Sequence, residues 1–370
     1  MKRSFIREIL EHTTDKTISF AGGLPDEKLF PNKKLQESAN RVLNHQNTLQ
    51  YTKSTGIDEL KEKIAQMYCE DGFDTKASNI MITSGSQQAL DIISRYNHGK
   101  LITVEAPSYL GAMNIFNLNN LKQTPINIEK DGINIDKFIK SFKDTKFSYL
   151  IPDFQNPTGI TYSQEKREQI ISIIKKNNGI LIEDSPYSEL YFESKNRSMS
   201  SSLENNSFHL GSFSKTLAPS LRIGWIRADE KLLNPLISYK EAMDLHTNGL
   251  SQYILNDYLN DKNGYANHLN TLRTEYKNKM LLFKKYLDLY LPEFQYSEPK
   301  GGMFIYGKLE NINTSTLVQK CLKNNVIFVP GCEFYDTNPK VNEIRFNFTY
   351  TNEEKIKIGL SKISDMIKEL

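Results

Sequence analysis

Cysteine is scarce: Cys69, Cys321 and Cys332 are the three in 370 residues. Their spacing fits neither a zinc ligand set nor a redox pair. No metal is expected, and free thiols fit a reducing, cytoplasmic setting. Long apolar runs are missing, and no stretch approaches the ~20 residues of a membrane span. The start, Met1-Lys-Arg-Ser-Phe-Ile-Arg-Glu-Ile-Leu10, has neither the unbroken apolar stretch nor the cleavage site of a secretion signal. Charge imbalance is also missing. The net charge is +3 with no basic block, which disfavours nucleic acid as a partner. No Gly-x-Gly-x-x-Gly follows the first predicted strand, which argues against a nicotinamide enzyme. There are no internal repeats and no low-complexity linker.

What is present is ordinary for a globular chain, with enough length for a large core and about two domains. Residues 3–13 read as a short amphipathic helix with Phe5, Ile6, Ile9 and Leu10 on one side, flanked by Arg7 and Glu8. The Gly22-Gly23-Leu24-Pro25 turn would let a ligand approach the main chain closely. Helices are expected over 32–44 and 57–71. Seven strands follow, at 80–83, 101–105, 123–129, 148–153, 179–184, 207–211 and 223–228. Helices alternate with them: one opening at Ser84-Gly-Ser-Gln-Gln88 and running to about Tyr96, one after Gly111, and one over 163–177. That alternation predicts an α/β domain with a largely parallel sheet. After residue 230 the pattern changes to helices at 231–245, 251–260 and 266–290. An α+β tail follows, with strands near 294–308, 326–329 and 343–350 and helices at 314–324 and 352–370.

Ligands of parallel sheets bind beyond the carboxyl ends of the strands. Ser84, Tyr109, Asn156, Asp184 and Lys215 each follow a predicted strand, so they are expected to converge. Lys215 stands among Ser212, Ser214 and Thr216, with Arg222 seven positions on. A lysine beside hydroxyls and a planar cation suits a Schiff base with a phosphorylated aldehyde, pyridoxal 5′-phosphate. That cofactor needs a carboxylate at its ring nitrogen, which Asp184 supplies. Asn156 and Tyr187 supply donors for the phenolic oxygen, and Tyr109 an aromatic partner for the ring face. Its phosphate needs N–H groups, hydroxyls and a cation. Gly85, Ser86 and Gln87 at a helix start, with Ser212, Ser214 and Arg222, provide them. Arg345, in Asn342-Glu-Ile-Arg-Phe-Asn347, is the candidate for an amino acid's α-carboxylate.

These pieces, in this order, resemble the fold-type I, class I/II aminotransferases. The similarity is greatest to the branch of 2-aminoadipate and kynurenine aminotransferases, which also includes effector domains of certain winged-helix regulators. The matching stretches include Ser19 through Pro25, Leu49-Gln-Tyr51 with Gly56, Thr83 through Gln88, Glu105 through Tyr109, Pro152 through Gly159, Glu183 through Tyr187, Gly211 through Pro219, Pro299 through Phe304, Phe328 through Gly331 and Arg345-Phe-Asn347. The resemblance implies a large domain over residues 31–264 with a mostly parallel seven-stranded sheet. It implies a smaller α+β domain from residues 1–30 and 265–370. It further implies a homodimer with shared sites, in which Tyr51 reaches the partner's cofactor phosphate. Gly23, Asn156 and Arg345 are placed on the substrate, and Arg7 near its side chain. Two features depart from the family pattern: Ser220 stands where glycine usually follows Ala-Pro, and the N-terminal arm is short.

The activity so implied is transamination between an L-amino acid and a 2-oxo acid, with 2-oxoglutarate and glutamate as one pair. Lys215 would carry the proton as base and acid. The ring-contacting residues would serve a lyase, decarboxylase or cyclase as well, so the sequence separates these poorly. A non-catalytic sensor domain is disfavoured by the intact ligand set.

Overall fold

The computed structural model describes residues 14–45 and 47–370. The helix expected over 3–13, and Arg7 with it, lies outside the described residues. The chain runs β1 (Ile18–Ser19), α1 (Asn32–Leu43), α2 (Asp58–Glu70), β2 (Ile80–Thr83), α3 (Ser86–Tyr96), β3 (Leu101–Ala106), α4 (Leu110–Leu118), β4 (Lys122–Glu129) and β5 (Gly132–Ile133). It continues α5 (Ile135–Thr145), β6 (Phe147–Leu150), α6 (Gln164–Lys176), β7 (Ile180–Asp184), β8 (Ser207–Ser212), β9 (Gly224–Arg227), α7 (Glu230–Asp244), α8 (Gly249–Tyr258) and α9 (Lys262–Tyr290). The remainder is β10 (Gln295–Tyr296), β11 (Phe304–Lys308), α10 (Thr314–Lys323), β12 (Val326–Ile327), β13 (Val329–Pro330), β14 (Glu343–Asn347) and α11 (Glu353–Lys368).

The main sheet has eight strands in the order β2-β9-β8-β7-β6-β3-β4-β5, one more than the seven expected. The addition is β5, which folds back antiparallel on β4 and is two residues long, too short to show a period. Strands β8, β7, β6, β3 and β4 pair in parallel. Strand β9 runs antiparallel to both β8 and β2. Two reversals leave β2 pointing the same way as the parallel strands. The carboxyl ends of β2, β3, β6, β7 and β8 therefore share one edge, and β9 begins there.

Helix α5 has no counterpart in the expected elements. It is capped by Asn134, whose side chain accepts from the Lys137 N–H, and it buries Phe138 and Phe142. Its five lysines and aspartates surround a stripe with only two buried aromatics. The single strand expected near 294–308 is two, β10 and β11. Between them the chain turns at Gly302, with φ 71°, and Gly301 bridges to Tyr191. The strand expected at 326–329 divides as well, since β12 pairs with β1 and β13 with β14. The closing helix and 343–350 form as expected, the latter stopping at Asn347.

Helix α9 is 29 residues long and buries Leu269, Leu272, Tyr276, Met280, Phe283 and Leu287. Spacings of three and four put these on one stripe, and each buried side chain contributes about 1.5–3 kcal/mol. Phe283 meets Phe20 and Phe346 ring to ring, and the helix also packs on α11. Phe20 lies just after β1. Its N–H donates to the Ile327 carbonyl and its carbonyl accepts from the Asn347 N–H, each at 2.8 Å. This wedges residues 18–23 between two distant strands and carries the Gly22-Gly23 turn to the sheet edge. Among the described residues no helix is long and apolar enough to cross a membrane, and no group of three or more His, Cys, Asp or Glu could hold a metal ion.

Candidate active site

Strand β8 ends at Ser212, and Lys215 follows in the turn. The Ser212 Oγ accepts from the Ser214 N–H at 3.1 Å, which tightens the turn and aims the lysine inward. The Lys215 Nζ donates to the Gly23 carbonyl at 2.7 Å. Burial, then the nearby Arg345 and Arg222 cations, push its amine down to about 8. Lysine and the glycine turn, 192 residues apart in sequence, thus meet directly.

Asp184 is the last residue of β7 and is 2% exposed. Its Oδ2 accepts from the Tyr149 hydroxyl at 2.7 Å, while its Oδ1 is buried with no hydrogen-bond partner. Burial pushes this carboxyl up to about 6, against the lowering effect of Tyr149. A buried carboxylate oxygen without a donor is costly. A protonated ring nitrogen supplies both the donor and the opposite charge, so the site fits a pyridinium cofactor. Tyr149 was not singled out from the sequence, because its place in Phe147-Ser-Tyr-Leu150 resembles any buried strand aromatic. The register Tyr149↔Ile182 puts it diagonally beside Asp184 on the same face.

The loop after β6 brings Asn156 to the edge. Its Nδ2 donates to the Tyr187 hydroxyl at 3.3 Å and its Oδ1 accepts from Arg345 Nη1 at 2.7 Å. Arg345, in the middle of β14, is 2% exposed. Its Nη2 donates to the Ala21 carbonyl, and its Nε is buried without a partner. Its guanidinium lies over the Phe304 and Phe334 rings at 4.2 and 4.9 Å. Burial pushes this cation down to about 10, and the neighbours that offset it are tyrosines, Tyr187 first. A buried guanidinium among rings, with a donor to spare, suits an incoming carboxylate. Tyr187 is buried edge-on to Phe304, and burial raises its phenol well above the usual range. Tyr109 ends the loop after β3 and folds over Gly111, where a Cβ would stand 2.4 Å from its Cζ. It lies close enough to Tyr187 and Arg345 to couple with them electrostatically.

An anion cup lies beside these groups. Gly85, with φ 81°, caps the start of α3, so Ser86 and Gln87 form a helix N-terminus with free N–H groups. Arg222, in the left-handed region at φ 54°, donates through Nη2 to the Ser84 carbonyl at 3.0 Å and through Nη1 to the Ser214 Oγ at 3.4 Å. A Cβ on Gly85 would stand 2.5 Å from Arg222 Nη2, and one on Gly224 only 2.7 Å from Gly85 backbone. Glycine is required at both for this approach. Ser84 Oγ donates to Asp244 at 3.2 Å, a carboxylate from α7 that no local pattern marks. Ser84, Gly85, Ser86, Gln87, Ser212, Ser214 and Arg222 are thus gathered as expected. Tyr51 is not. It is 78% exposed, and within the described residues its ring meets His246 at 5.7 Å.

Comparison with known proteins agrees with this geometry. Residues 16–363 match the family described as aminotransferase class I and II. The chain is 36% identical to aromatic-amino-acid aminotransferase 1 of Thermococcus litoralis, over the whole of this chain and 92% of that protein. The crystal structure of α-aminoadipate aminotransferase from Thermus thermophilus, complexed with N-(5′-phosphopyridoxyl)-L-leucine, superposes with a TM-score of 0.92 at 31% identity, covering 100% of this chain and 95% of that one. Kynurenine aminotransferase of Pyrococcus horikoshii, in complex with PMP, superposes equally at 0.92 and 32% identity, again covering 100% and 95%. Matched by the family over residues 16–363 and superposing along its whole length on enzymes solved with the cofactor's phosphorylated forms, the chain belongs to the class I and II aminotransferases, the fold-type I enzymes that use pyridoxal phosphate.

Proposed function

We propose that Lys215 is the catalytic residue, and that this transaminase pairs an acidic or aromatic L-amino acid with 2-oxoglutarate. The observation that carries the site assignment is the buried, unpartnered Asp184 Oδ1 on the sheet edge that also presents Lys215. Asp184 would hold the cofactor's ring nitrogen, and Asn156 and Tyr187 its phenolic oxygen, with Tyr109 against the ring. Ser84, Gly85, Ser86, Gln87, Ser212, Ser214 and Arg222 would hold the phosphate, joined by the partner's copy of Tyr51 in a homodimer. The exposure of Tyr51 supports that sharing. When bound, the cofactor supplies the aldehyde that receives the amino group and a conjugated ring that accepts an electron pair.

The chain's own residues do the rest. Arg345 and Asn156 orient the substrate carboxylate, and the close backbone at Gly23 leaves room beside Lys215. Asp184 keeps a proton on the ring nitrogen. Lys215 Nζ, with its proton affinity lowered by burial and two cations, is the base that takes the proton from the substrate Cα. Residues 31–264 would carry the cofactor, and 1–30 with 265–370 would close over the substrate. The three free cysteines support a cytoplasmic setting. The acid-or-aromatic reading draws support from the relatives named for aromatic amino acids, aminoadipate and kynurenine. Mixing the holoenzyme with single amino acids and following the cofactor absorbance through one half-reaction tests it. Rapid conversion by glutamate, 2-aminoadipate or aromatic donors is expected. Conversion by none of them refutes the substrate reading.

A further inference from the structure

One buried acid lies behind the site without a role in it so far. Glu105 is the penultimate residue of β3 and is 1% exposed. Its partners are a backbone N–H, a phenol and an amide rather than a cation. Oε1 accepts from the Ile151 N–H at 3.1 Å and from the Tyr162 hydroxyl at 2.7 Å, and Oε2 accepts from Gln155 Nε2 at 2.9 Å. Gln155 passes the connection on. Its Nε2 also donates to the Pro107 carbonyl at 3.0 Å, and its Oε1 accepts from the Thr158 N–H and hydroxyl at 2.9 and 2.7 Å. Pro107 lies two residues before Tyr109, and Asn156 lies inside the turn that Gln155 and Thr158 close.

We propose that Glu105 is a positioning residue for the reaction, acting through Gln155 to lock together the two loops that present Tyr109 and Asn156. This rests on the assignment of those two residues to the cofactor. The chemistry of the three contacts selects a carboxylate. Every neighbour donates, and an ionised carboxyl is the one acidic form that accepts on both oxygens. Burial pushes the carboxyl up to about 8 even against the lowering effect of these three donors, so it is the geometry, in which every neighbour donates, that calls for an acceptor on both oxygens. A glutamine at 105 would turn its amide nitrogen toward the Gln155 amide nitrogen. Rotating Gln155 to avoid this would strip the donor from Pro107 and oppose the Thr158 N–H, so one buried group is left unmatched in either case. Asn156 also holds Arg345, so a slack loop loosens the substrate carboxylate site as well as the ring.

The test uses holoenzyme. Glu105→Gln is compared with wild type for cofactor release, followed by absorbance on dilution, and for kcat and KM with one good donor. Expected are cofactor retention weakened about tenfold or more and a KM raised more than kcat falls, with an unchanged far-ultraviolet circular dichroism spectrum. The exchange Glu105→Gln with Gln155→Glu rebuilds the bond between the two side chains, with donor and acceptor swapped. It should recover part of the lost retention, because the new carboxylate oxygen at 155 faces the Pro107 carbonyl without a proton to donate. Retention and KM within twofold of wild type in Glu105→Gln overturn the proposal. So does a loss that the exchange leaves unrecovered, because that marks general destabilisation. Should Glu105→Gln not fold, Gln155→Leu carries the same test: unchanged retention refutes the lock, and weakened retention supports it. Asn156→Ala serves as control. If it leaves retention intact, the assignment of Asn156 to the cofactor is wrong, and the proposal falls with it.

Discussion

Replacing Asp184 by asparagine separates the two things this carboxylate does. In the cofactor-free protein its folded-state value stands at about 6 against an ordinary 3.8, raised by burial. Each tenfold in proton affinity is about 1.4 kcal/mol, so burying the ionised form costs about 3 kcal/mol. The folded protein holds this proton more tightly than the unfolded chain does. The stability from this site is therefore fully present below about pH 4 and is lost as pH rises through about 6. Chemical denaturation of cofactor-free wild type and Asp184→Asn across that window should show the difference. The wild type should lose about 3 kcal/mol more than the variant, whatever constant penalty the buried amide adds. With the ring nitrogen held as proposed, the sign would reverse in the holoenzyme, because Oδ1 would face a cation. A charge-assisted hydrogen bond contributes about 1.5–3 kcal/mol, and Coulomb's law at ~3 Å with an effective dielectric of ~20 gives about 5.5 kcal/mol as an upper bound. Loss of that interaction in the transition state should cut kcat between roughly tenfold and about ten thousandfold, with the fold kept. Activity within a few-fold of wild type, together with an unchanged pH slope, would remove Asp184 from this role.

Lys215→Ala should abolish turnover and the absorbance of lysine-bound cofactor; borohydride reduction of the wild type followed by peptide mapping should find the cofactor on Lys215, and finding it on another lysine sinks the assignment. Mixing Tyr51→Phe subunits with Lys215→Ala subunits should restore part of the activity, since one hybrid site receives both intact residues; no recovery in subunits shown to have exchanged counts against a shared site. Arg7→Ala should lower kcat/KM for glutamate and 2-aminoadipate about tenfold to a hundredfold, the effect of one charged hydrogen bond, and leave leucine nearly unchanged; equal losses would show that Arg7 does not read the side chain.

Much of the site was legible because its chemistry is local. Lys215 with its hydroxyl neighbours, Asp184 at a strand end and Gly85 before a helix are short patterns whose meaning survives without neighbours in space. The alternation of apolar strands with amphipathic helices likewise specifies a largely parallel sheet, and with it the edge where these residues gather. Short or interrupted elements escaped. Two-residue β5 has no period to detect, α5 shows two aromatics among charges, and the 294–308 strand is broken at Gly302, whose φ is 71° and whose N–H donates to the distant Leu190 carbonyl.

Contacts across long separations depended on folding. That Lys215 meets the Gly23 carbonyl follows from β1 pairing with β12, which no local propensity encodes. Tyr149 donates to Asp184 because strand register sets which side chains face each other, and register is decided by how the whole sheet packs. The Glu105–Gln155 connection joins residues 50 apart. Sequence determined the chemical groups and the kind of sheet that would present them, since residue type and period are properties of the chain itself. Tertiary structure alone decided their protonation and their partners, because burial and the direction of a hydrogen bond exist only once distant segments share the same dry space.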